Sequence, residues 1–388
     1  MKGEKLALIN AAVITPGGVL KGMSVVVEGG VITSLNSGEI DTADCRVIDL
    51  GGRYLSPGFV DLHTHGRLGA DIIDGSRETM SRVAGDLLRY GVTGFLLTTQ
   101  AMPREQTVSV IKSAVEYIKN PNPDGAKPLG IYLEGPYLAS ARKGAQLLDG
   151  DDRVCMDGLK AMIEAGEGHV RVVAVAPELP GATEAIRFLT ERGIVVSAAH
   201  TDGGYDTAVK AIDAGVTLTT HTFNAMRPLR HRDPEVVGAC LTDERVFCEV
   251  ISDGIHLHPA IVKLVYLAKG AEGMALISDS VMATGLDDGE YDYAGRKYTV
   301  QNGFVRLPDG TLAGSTLSLD AAVRNVMEFT GCDICKAVEM ASLTPSRVIG
   351  VNDKKGTVEI GKDADIAVLD ERLRVSAVIL AGRYIEVE

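Results

Sequence analysis

The chain has 388 residues, of which 45% are hydrophobic and 23% are charged, as in an ordinary globular protein long enough to bury a large core. Lysine and arginine number 39 against 52 aspartate and glutamate residues, and this net charge of −13 argues against a nucleic-acid partner. Six cysteines are too few for a disulfide scaffold. The sequence has neither a secretory signal pattern nor an apolar run of the roughly 18 to 20 residues that span a bilayer. We therefore expect a cytoplasmic protein without a membrane anchor.

Both ends of the chain carry patterns that predict β-strands. In the first 55 residues the β-type runs are separated by the glycine pairs Gly17-Gly18 and Gly29-Gly30, which are typical of hairpins. Because a few strands bury too little surface to be stable alone, the two ends are expected to combine. We therefore predict a small β-sandwich domain from residues 1–55 and 355–388, with residues 56–354 inserted between them.

The middle of the chain alternates short β-branched runs with helical runs. Alternation of this kind, with eight strands, predicts an α/β fold of the (β/α)8 or TIM-barrel type rather than an open sheet. The predicted strands are Gly58–Leu62, Thr93–Thr98, Leu129–Leu133, Arg171–Val175, Ile194–Ala199, Thr217–Thr220, Val246–Ile251 and Met274–Ser278.

Helices are predicted in most of the intervals between these strands, and the alternation ends after Thr284. From there we expect an inserted β-hairpin over Gly289–Pro308 and a helix around Leu319–Phe329. The helices predicted before that point cover Glu78–Tyr90, Gln106–Lys119, Gly181–Arg192, Tyr205–Ala214 and Pro259–Ala268.

Two histidines, His63 and His65, stand at the end of the first barrel strand. Side chains two residues apart on a strand point to the same side, roughly 6–7 Å from each other. Two imidazoles can therefore hold one metal ion, although the His-x-His pattern alone is a weak signal.

Four further chemistry-bearing residues follow later strands, namely Glu134, His200, His221 and Asp279. In a (β/α)8 barrel the active site lies at the carboxyl ends of the strands, so these side chains should meet His63 there. Imidazole and carboxylate ligands suit Zn, Fe, Ni or Co, and the lack of a nearby cysteine argues against a thiolate site. Such an ion lowers the pKa of a bound water towards ~7, and an adjacent carboxylate can take the proton and later deliver it to a leaving amine.

These residues and the segments around them resemble the amidohydrolase superfamily and, within it, the N-acetylglucosamine-6-phosphate deacetylase family. The matching segments extend across most of the chain, and the two within Leu133–Tyr137 and His221–Met226 are specific to the narrower family. The segments are Pro57–Gly66, Leu133–Tyr137, His221–Met226, Asp253–His256 and Leu312–Leu317.

The resemblance implies removal of the acetyl group from N-acetylglucosamine 6-phosphate, which gives glucosamine 6-phosphate and acetate. It implies that Glu134, His200 and His221 hold the constant metal ion, and that His63 and His65 complete a second site present in some members. One or two divalent ions per subunit are therefore expected, with Asp279 as the general base and then the general acid.

The resemblance also implies where the sugar phosphate binds. Asn224 and Ala225, with Arg232 and His256, would place the phosphorylated sugar, and Leu312, Ala313 and Gly314 would line the sugar pocket. Arg232 would reach the neighbouring subunit's site, which implies a homodimer. The residues themselves agree, because a phosphate needs a fixed cation and Arg227, Arg230 and Arg232 cluster after His221.

One position departs from the family. Ala145 and Gln146 lie in a loop that is also predicted to contact the substrate. At the position of Gln146, the family usually has a histidine that helps polarise the acetyl carbonyl. An amide can donate a neutral N–H group but cannot become a cation, so this departure bears on the rate and on which sugar is accepted.

Three alternatives stay open. The substrate could be the galactosamine epimer, or the enzyme could be another amidohydrolase that cleaves a cyclic amide or an acylated amino acid. The fourth predicted strand, Arg171–Val175, contains no lysine and so does not suggest a site bridged by a carbamylated lysine. A non-catalytic barrel that binds a sugar phosphate or a protein is the third alternative, and the full set of ligand residues argues against it.

Overall fold

The computed structural model describes residues 5–38, 40–148 and 152–387. In this part of the chain the strands form two large sheets, a four-stranded antiparallel sheet and a two-stranded ribbon. The amino-terminal strands are β1 (Lys5–Thr15), β2 (Gly18–Glu28), β3 (Val31–Ser37), β4 (Cys45–Asp49) and β5 (Tyr54–Pro57).

The second large sheet consists, over the described residues, of eight parallel strands from the middle of the chain. The strands of this region are β6 (Phe59–Thr64), β7 (Gly66–Arg67), β8 (Ala70–Asp71), β9 (Val92–Thr98), β10 (Lys127–Leu133), β11 (Val170–Val175), β12 (Val195–Ala198), β13 (Val216–Thr219), β14 (Phe247–Val250) and β15 (Met274–Leu276). β7 and β8 form the ribbon, and the others follow one another in chain order across the sheet. Every residue of β6 and of β9 is buried, as expected for parallel strands covered on both faces.

The first and last strands of this sheet approach each other. The amide of Asp279, just after β15, donates to the carbonyl of His63 at 2.9 Å, and the amide of His65 donates to the carbonyl of Ser280 at 2.8 Å. The curled parallel sheet is consistent with a TIM-like barrel and confirms the prediction to that extent. Each predicted barrel strand overlaps an observed one, although β12, β14 and β15 are shorter than predicted and β13 begins and ends one residue earlier.

Helices connect the barrel strands and cover them. α1 begins after Ser76, whose hydroxyl accepts the amide of Thr79, and its buried residues Met80, Val83 and Leu87 recur at helical spacing and pack on the barrel. The helices are α1 (Arg77–Leu88), α2 (Arg104–Lys119), α3 (Met156–Ala165), α4 (Ala182–Thr190), α5 (Tyr205–Ala214), α6 (Glu235–Thr242), α7 (Pro259–Gly273), α8 (Leu319–Thr330), α9 (Ile334–Ala341) and α10 (Leu343–Val348). Within the described residues, none of them has both the length and the apolar character needed to cross a lipid bilayer.

The insertion after β15 is larger than the predicted hairpin. Among the described residues it is a four-stranded antiparallel sheet of β16 (Gly289–Tyr293), β17 (Arg296–Gln301), β18 (Phe304–Arg306) and β19 (Leu312–Ser315). A second tight turn, in which Asn302 and Gly303 both have positive φ angles, joins β17 to the additional strand β18. Asn-Gly is the pair best suited to such a turn.

The carboxyl-terminal strands β20 (Ile366–Leu369), β21 (Val375–Leu380) and β22 (Arg383–Glu386) join the first large sheet. β20 pairs with β5, so strands from both ends of the chain lie in one sheet. This sheet has its own apolar core, formed by residues such as Leu8, Val25 and Ile366.

Candidate metal centre and active site

The six candidate ligand and acid residues lie together at the carboxyl ends of the barrel strands. His63 is within β6 and His65 follows it, while Glu134, His200, His221 and Asp279 follow β10, β12, β13 and β15. All six are at most 8% exposed. His200, His221 and Asp279 have positive φ angles, a strained conformation that is often found at functional sites.

Glu134, His200 and His221 form the first group. Nδ1 of His200 lies 2.9 Å from the carbonyl oxygen of Arg142, which can only accept a hydrogen bond, so Nδ1 carries a proton. Nε2 of His200 then faces Oε1 of Glu134 at 3.1 Å, and Nε2 of His221 faces the same oxygen at 3.0 Å. In a neutral His200 with its proton on Nδ1, the unprotonated Nε2 and Oε1 of Glu134 would be two acceptors facing each other. The contact between them therefore calls for a cation, either a proton or a metal ion.

His63, His65 and Asp279 form the second group. The Nε2 atoms of the two imidazoles are 3.1 Å apart. Oδ1 of Asp279 lies 3.6 Å from Nε2 of His63 and 3.4 Å from Nε2 of His65. The donor atoms of each group are all within 4.8 Å of one another, so each group could hold one ion.

The carboxylate of Glu134 connects the two groups. Its Oε1 faces His200 and His221, whereas its Oε2 lies 3.2 Å from Nε2 of His65 and 3.7 Å from Nε2 of His63. The buried donors are nitrogen and oxygen atoms with no cysteine among them, a set that fits Zn, Fe, Ni or Co. The residues present therefore fit the metal chemistry that the sequence predicted, for one or for two ions.

The site concentrates charge, and this shifts the pKa values of its groups. Burial alone would lower the pKa of His65, but hydrogen bonds to Asp279 and Glu134 raise it to about 9. For the acid Glu134 burial acts in the opposite direction and would raise the pKa. The charge of His63 and hydrogen bonds from His200 and His221 outweigh burial and hold the pKa of Glu134 well below its usual range. For Asp279, burial opposes the hydrogen bond from His65 and the charge of His63, which lower its pKa.

A cavity of about 270 Å³ opens over the ligand residues. Five of the six ligand and acid residues line it, namely His65, Glu134, His200, His221 and Asp279. Eight of the predicted substrate residues line it as well, namely Ala145, Gln146, Asn224, Ala225, His256, Leu312, Ala313 and Gly314. The imidazole Nδ1 of His256 is 2.7 Å from Oδ2 of Asp253. Burial would lower the pKa of His256, but the hydrogen bond and charge of Asp253 raise it, which favours a cationic imidazole in the cavity wall.

Arg232, the ninth predicted substrate residue, is exposed and is not among the described residues that line the cavity. Its guanidinium contacts the imidazole of its neighbour His231 at 2.7 Å. Arg227 is engaged elsewhere, in ion pairs with Asp202 and Glu235. The arginine cluster therefore stays outside the cavity of its own chain.

Gln146 is buried and held at both ends of its amide. Its Oε1 accepts the backbone amide of Ala101 at 2.8 Å, and its Nε2 donates to Oε2 of Glu134 at 2.5 Å. The residue that departs from the family pattern therefore contacts a candidate metal ligand as well as lining the cavity.

Several residues of this site were not predicted. Asp71, Gln100, Arg296 and Tyr298 also line the cavity, but they lie in or beside loops and inserted strands that carry no distinctive sequence pattern. Glu249, fully buried beneath the site, could have been noticed, because an acid in the apolar strand β14 is unusual.

Comparison with known proteins agrees with this geometry. Residues 54–385 match the amidohydrolase family. An N-acetylgalactosamine-6-phosphate deacetylase from Escherichia coli O157:H7 is 36% identical over 95% of this chain and 96% of its own length. An N-acetylglucosamine-6-phosphate deacetylase from Bacillus subtilis (strain 168) is 34% identical over 98% of this chain and 96% of its own. The crystal structure of N-acetylglucosamine-6-phosphate deacetylase from Pasteurella multocida superposes with a TM-score of 0.93 at 28% identity, covering 98% of this chain and 100% of that one.

The curled parallel sheet, the buried histidine and carboxylate groups and the match over residues 54–385 together define the class. The chain belongs to the amidohydrolase family. Within that family it is similar to hexosamine-6-phosphate deacetylases along nearly its whole length.

Proposed function

We propose that this protein is a metal-dependent hydrolase that removes the acetyl group from N-acetylglucosamine 6-phosphate and releases glucosamine 6-phosphate and acetate. The observation that carries the proposal is the convergence of Glu134, His200 and His221 on one point beside Asp279, in a cavity lined by the predicted sugar-contacting residues. Relatives that resemble the chain over nearly its full length bear the names of such deacetylases.

Asp279 is the proposed general base. Glu134, His200 and His221 would hold a divalent ion, which would supply Lewis-acid activation of the attacking water. The lowered pKa of Asp279 keeps its carboxylate ionised at neutral pH, so it can accept a proton from that water as the oxygen attacks the acetyl carbon. The same carboxyl group then delivers the proton to the amine nitrogen as the C–N bond breaks.

The substrate is proposed to lie between the inserted sheet and the loops that follow the barrel strands. The cavity in which the sugar would lie is lined by Asn224, Ala225 and the segment Leu312–Gly314. His256, whose pKa is raised by Asp253, also lines this cavity and is proposed to bind the phosphate. Arg232 is exposed, which supports its proposed action on the site of a neighbouring subunit in a homodimer.

We also propose the domain division predicted above, with residues 1–55 and 355–388 forming a small β-sandwich beside a barrel of residues 56–354. The course of β1 supports two layers, because its first half pairs with β4 and its second half with β5, with a bulge between the two.

All six cysteines are free thiols, which suits the reducing cytoplasm.

The galactosamine epimer is the second candidate substrate, because the relative from Escherichia coli O157:H7 bears the name of a deacetylase for that sugar. The names of the compared relatives do not favour cyclic amides or acylated amino acids.

The test is amine release by purified protein of measured metal content from four compounds. They are N-acetylglucosamine 6-phosphate, its galactosamine epimer and the unphosphorylated form of each. We expect turnover of the glucosamine compound above the other three, abolished by a chelator. Faster turnover of the galactosamine epimer would reassign the substrate, and no turnover of any of the four by metal-loaded protein would refute the proposal.

A further inference from the structure

Glu249 is a buried acid that the proposed reaction does not use. It lies on β14 between Cys248 and Val250, with 0% of its surface exposed. An ionised carboxylate in such a place loses its hydration, so it persists only where its neighbours compensate for the loss. The contacts of Glu249 therefore indicate what it does.

One oxygen of this carboxylate touches both candidate metal groups. Oε2 lies 3.1 Å from Nδ1 of His63, in the group with His65 and Asp279. The same oxygen accepts the backbone amide of His221 at 3.2 Å. The other oxygen, Oε1, is buried and has no hydrogen-bond partner among the described residues.

The two contacts differ in what they fix. The contact with His221 reaches its backbone, whereas the contact with His63 reaches the imidazole itself. Because an ionised carboxylate can only accept, it places a proton on Nδ1 of His63 and turns Nε2 towards the centre. There Nε2 lies 3.1 Å from Nε2 of His65, with the lone pair available for an ion.

Within the described residues, the other three candidate ligand imidazoles have no carboxylate at Nδ1. His200 donates its Nδ1 proton to the carbonyl of Arg142, a backbone group that substitutions at Glu249 leave in place. Nδ1 of His65 and Nδ1 of His221 are buried without a hydrogen-bond partner in the described residues. Among the four candidate ligand imidazoles that the structure describes, only His63 has a carboxylate against its Nδ1 atom.

We propose that Glu249 is a positioning residue for His63 and that it sets the affinity of the His63, His65 and Asp279 group for a divalent ion, with little influence on the Glu134, His200 and His221 group. The proposal deepens the metal-dependent function proposed above and rests on it for the identity of the centre. Hydrogen-bond partners behind a metal ligand typically change ion affinity by about 10- to 100-fold when they are removed.

The test measures ion binding rather than turnover. Full-length wild-type, Glu249→Ala and Glu249→Gln proteins are stripped of metal with a chelator and checked for folding by circular dichroism. They are then titrated with Co²⁺, whose absorption reports the ligands, and the ions that remain after dialysis are counted by mass spectrometry. Glu339→Gln is the matched control, because Glu339 is a carboxylate with 4% exposure that pairs with Lys336 away from the cavity.

We expect wild-type protein to bind two ions per subunit. Glu249→Ala should bind the ion of the Glu134, His200 and His221 group with wild-type affinity. It should bind the second ion about 10- to 100-fold more weakly. Glu249→Gln, whose amide oxygen can still accept from Nδ1, should recover part of this loss, and Glu339→Gln should match wild type. If Glu249→Ala does not fold, the selective weakening of the second ion in Glu249→Gln decides the question.

The proposal is overturned if the second affinity is unchanged, if both affinities fall equally in a folded variant, or if wild-type protein binds no second ion. Because no substrate is needed, a protein that binds two ions but deacetylates nothing would refute the proposed function and leave this proposal to be judged on the ion affinities.

Discussion

The side-chain amide of Gln146 donates to Oε2 of Glu134 at 2.5 Å, so a cavity-lining residue and a candidate metal ligand are directly coupled. Replacing Gln146 with alanine removes this donor and leaves the amide of Ala101 without its acceptor. A hydrogen bond to a charged group contributes about 1.5–3 kcal/mol, so ion affinity should fall about 10- to 100-fold. Metal content after dialysis checks this.

Gln100 provides the matched control for that substitution. It lines the same cavity, but its amide donates to Asp71 at 3.0 Å. Gln100→Ala should therefore keep the wild-type metal content. Equal metal loss in Gln146→Ala and Gln100→Ala would show that the hydrogen bond from Gln146 to Glu134 has no special role in ion binding.

Asp279→Asn should abolish turnover while the protein keeps the ion of the Glu134, His200 and His221 group. The amide cannot accept the proton of the attacking water, and removal of a general base typically costs about 10²- to 10⁴-fold in rate. Steady-state amine release and metal analysis of the same samples test this together. Activity within a few-fold of wild type would rule out Asp279 as the base.

Arg232→Ala should raise KM for the phosphorylated substrate far more than for its unphosphorylated form. The guanidinium is exposed on its own subunit, and the proposal places it against the phosphate in a neighbouring one. Arg230→Ala is the control, because Arg230 is an exposed arginine of the same segment. If the KM values for both substrates rise equally in Arg232→Ala, the phosphate is bound by other residues.

Asp365→Asn should destabilise the protein by about 3 kcal/mol at neutral pH, because it removes one partner of a buried ion pair. Lys355 and Lys127 both contact this carboxylate, next to β20. Asp124→Asn is the control, since Asp124 forms an exposed pair with Arg383 and should contribute little. The free energy of unfolding in denaturant gives both values.

The ion pairs of Asp365 with Lys355 and Lys127 also predict how the stability of the fold depends on pH. Burial would raise the pKa of Asp365, but the charges of Lys355 and Lys127 outweigh it and lower the pKa from its ordinary 3.8. The ionised carboxylate therefore stabilises the fold above about pH 4, and this stabilisation is lost as the pH falls through the lowered pKa. The difference between wild type and Asp365→Asn should shrink below pH 4. A difference that stays constant down to pH 3 would contradict this explanation.

The sequence predicted the parts of the fold that depend on local pattern. Apolar runs of strand length located each barrel strand, and the placement of His63, Glu134 and His221 after such runs predicted that they would meet at one end of the sheet. Strand periodicity and the convergence of parallel strand ends are physical regularities that a single chain displays.

Contacts between distant segments were not predictable in this way. Glu249 lies 186 positions from His63, and nothing local to either residue indicates that they touch. The amide contacts of Gln146 depend on where a loop folds relative to β10, and the inserted sheet brings Arg296 and Tyr298 to the cavity from beyond the barrel. Such positions follow from tertiary packing rather than from spacing along the chain.

The most direct test of the account is a titration of metal-free protein with Zn²⁺, in which ion occupancy and release of glucosamine 6-phosphate from N-acetylglucosamine 6-phosphate are measured on the same samples. We predict no turnover without metal, and turnover that rises with occupancy and then reaches a plateau. Full turnover by protein shown to contain no metal, or full occupancy without turnover, would contradict the central claim.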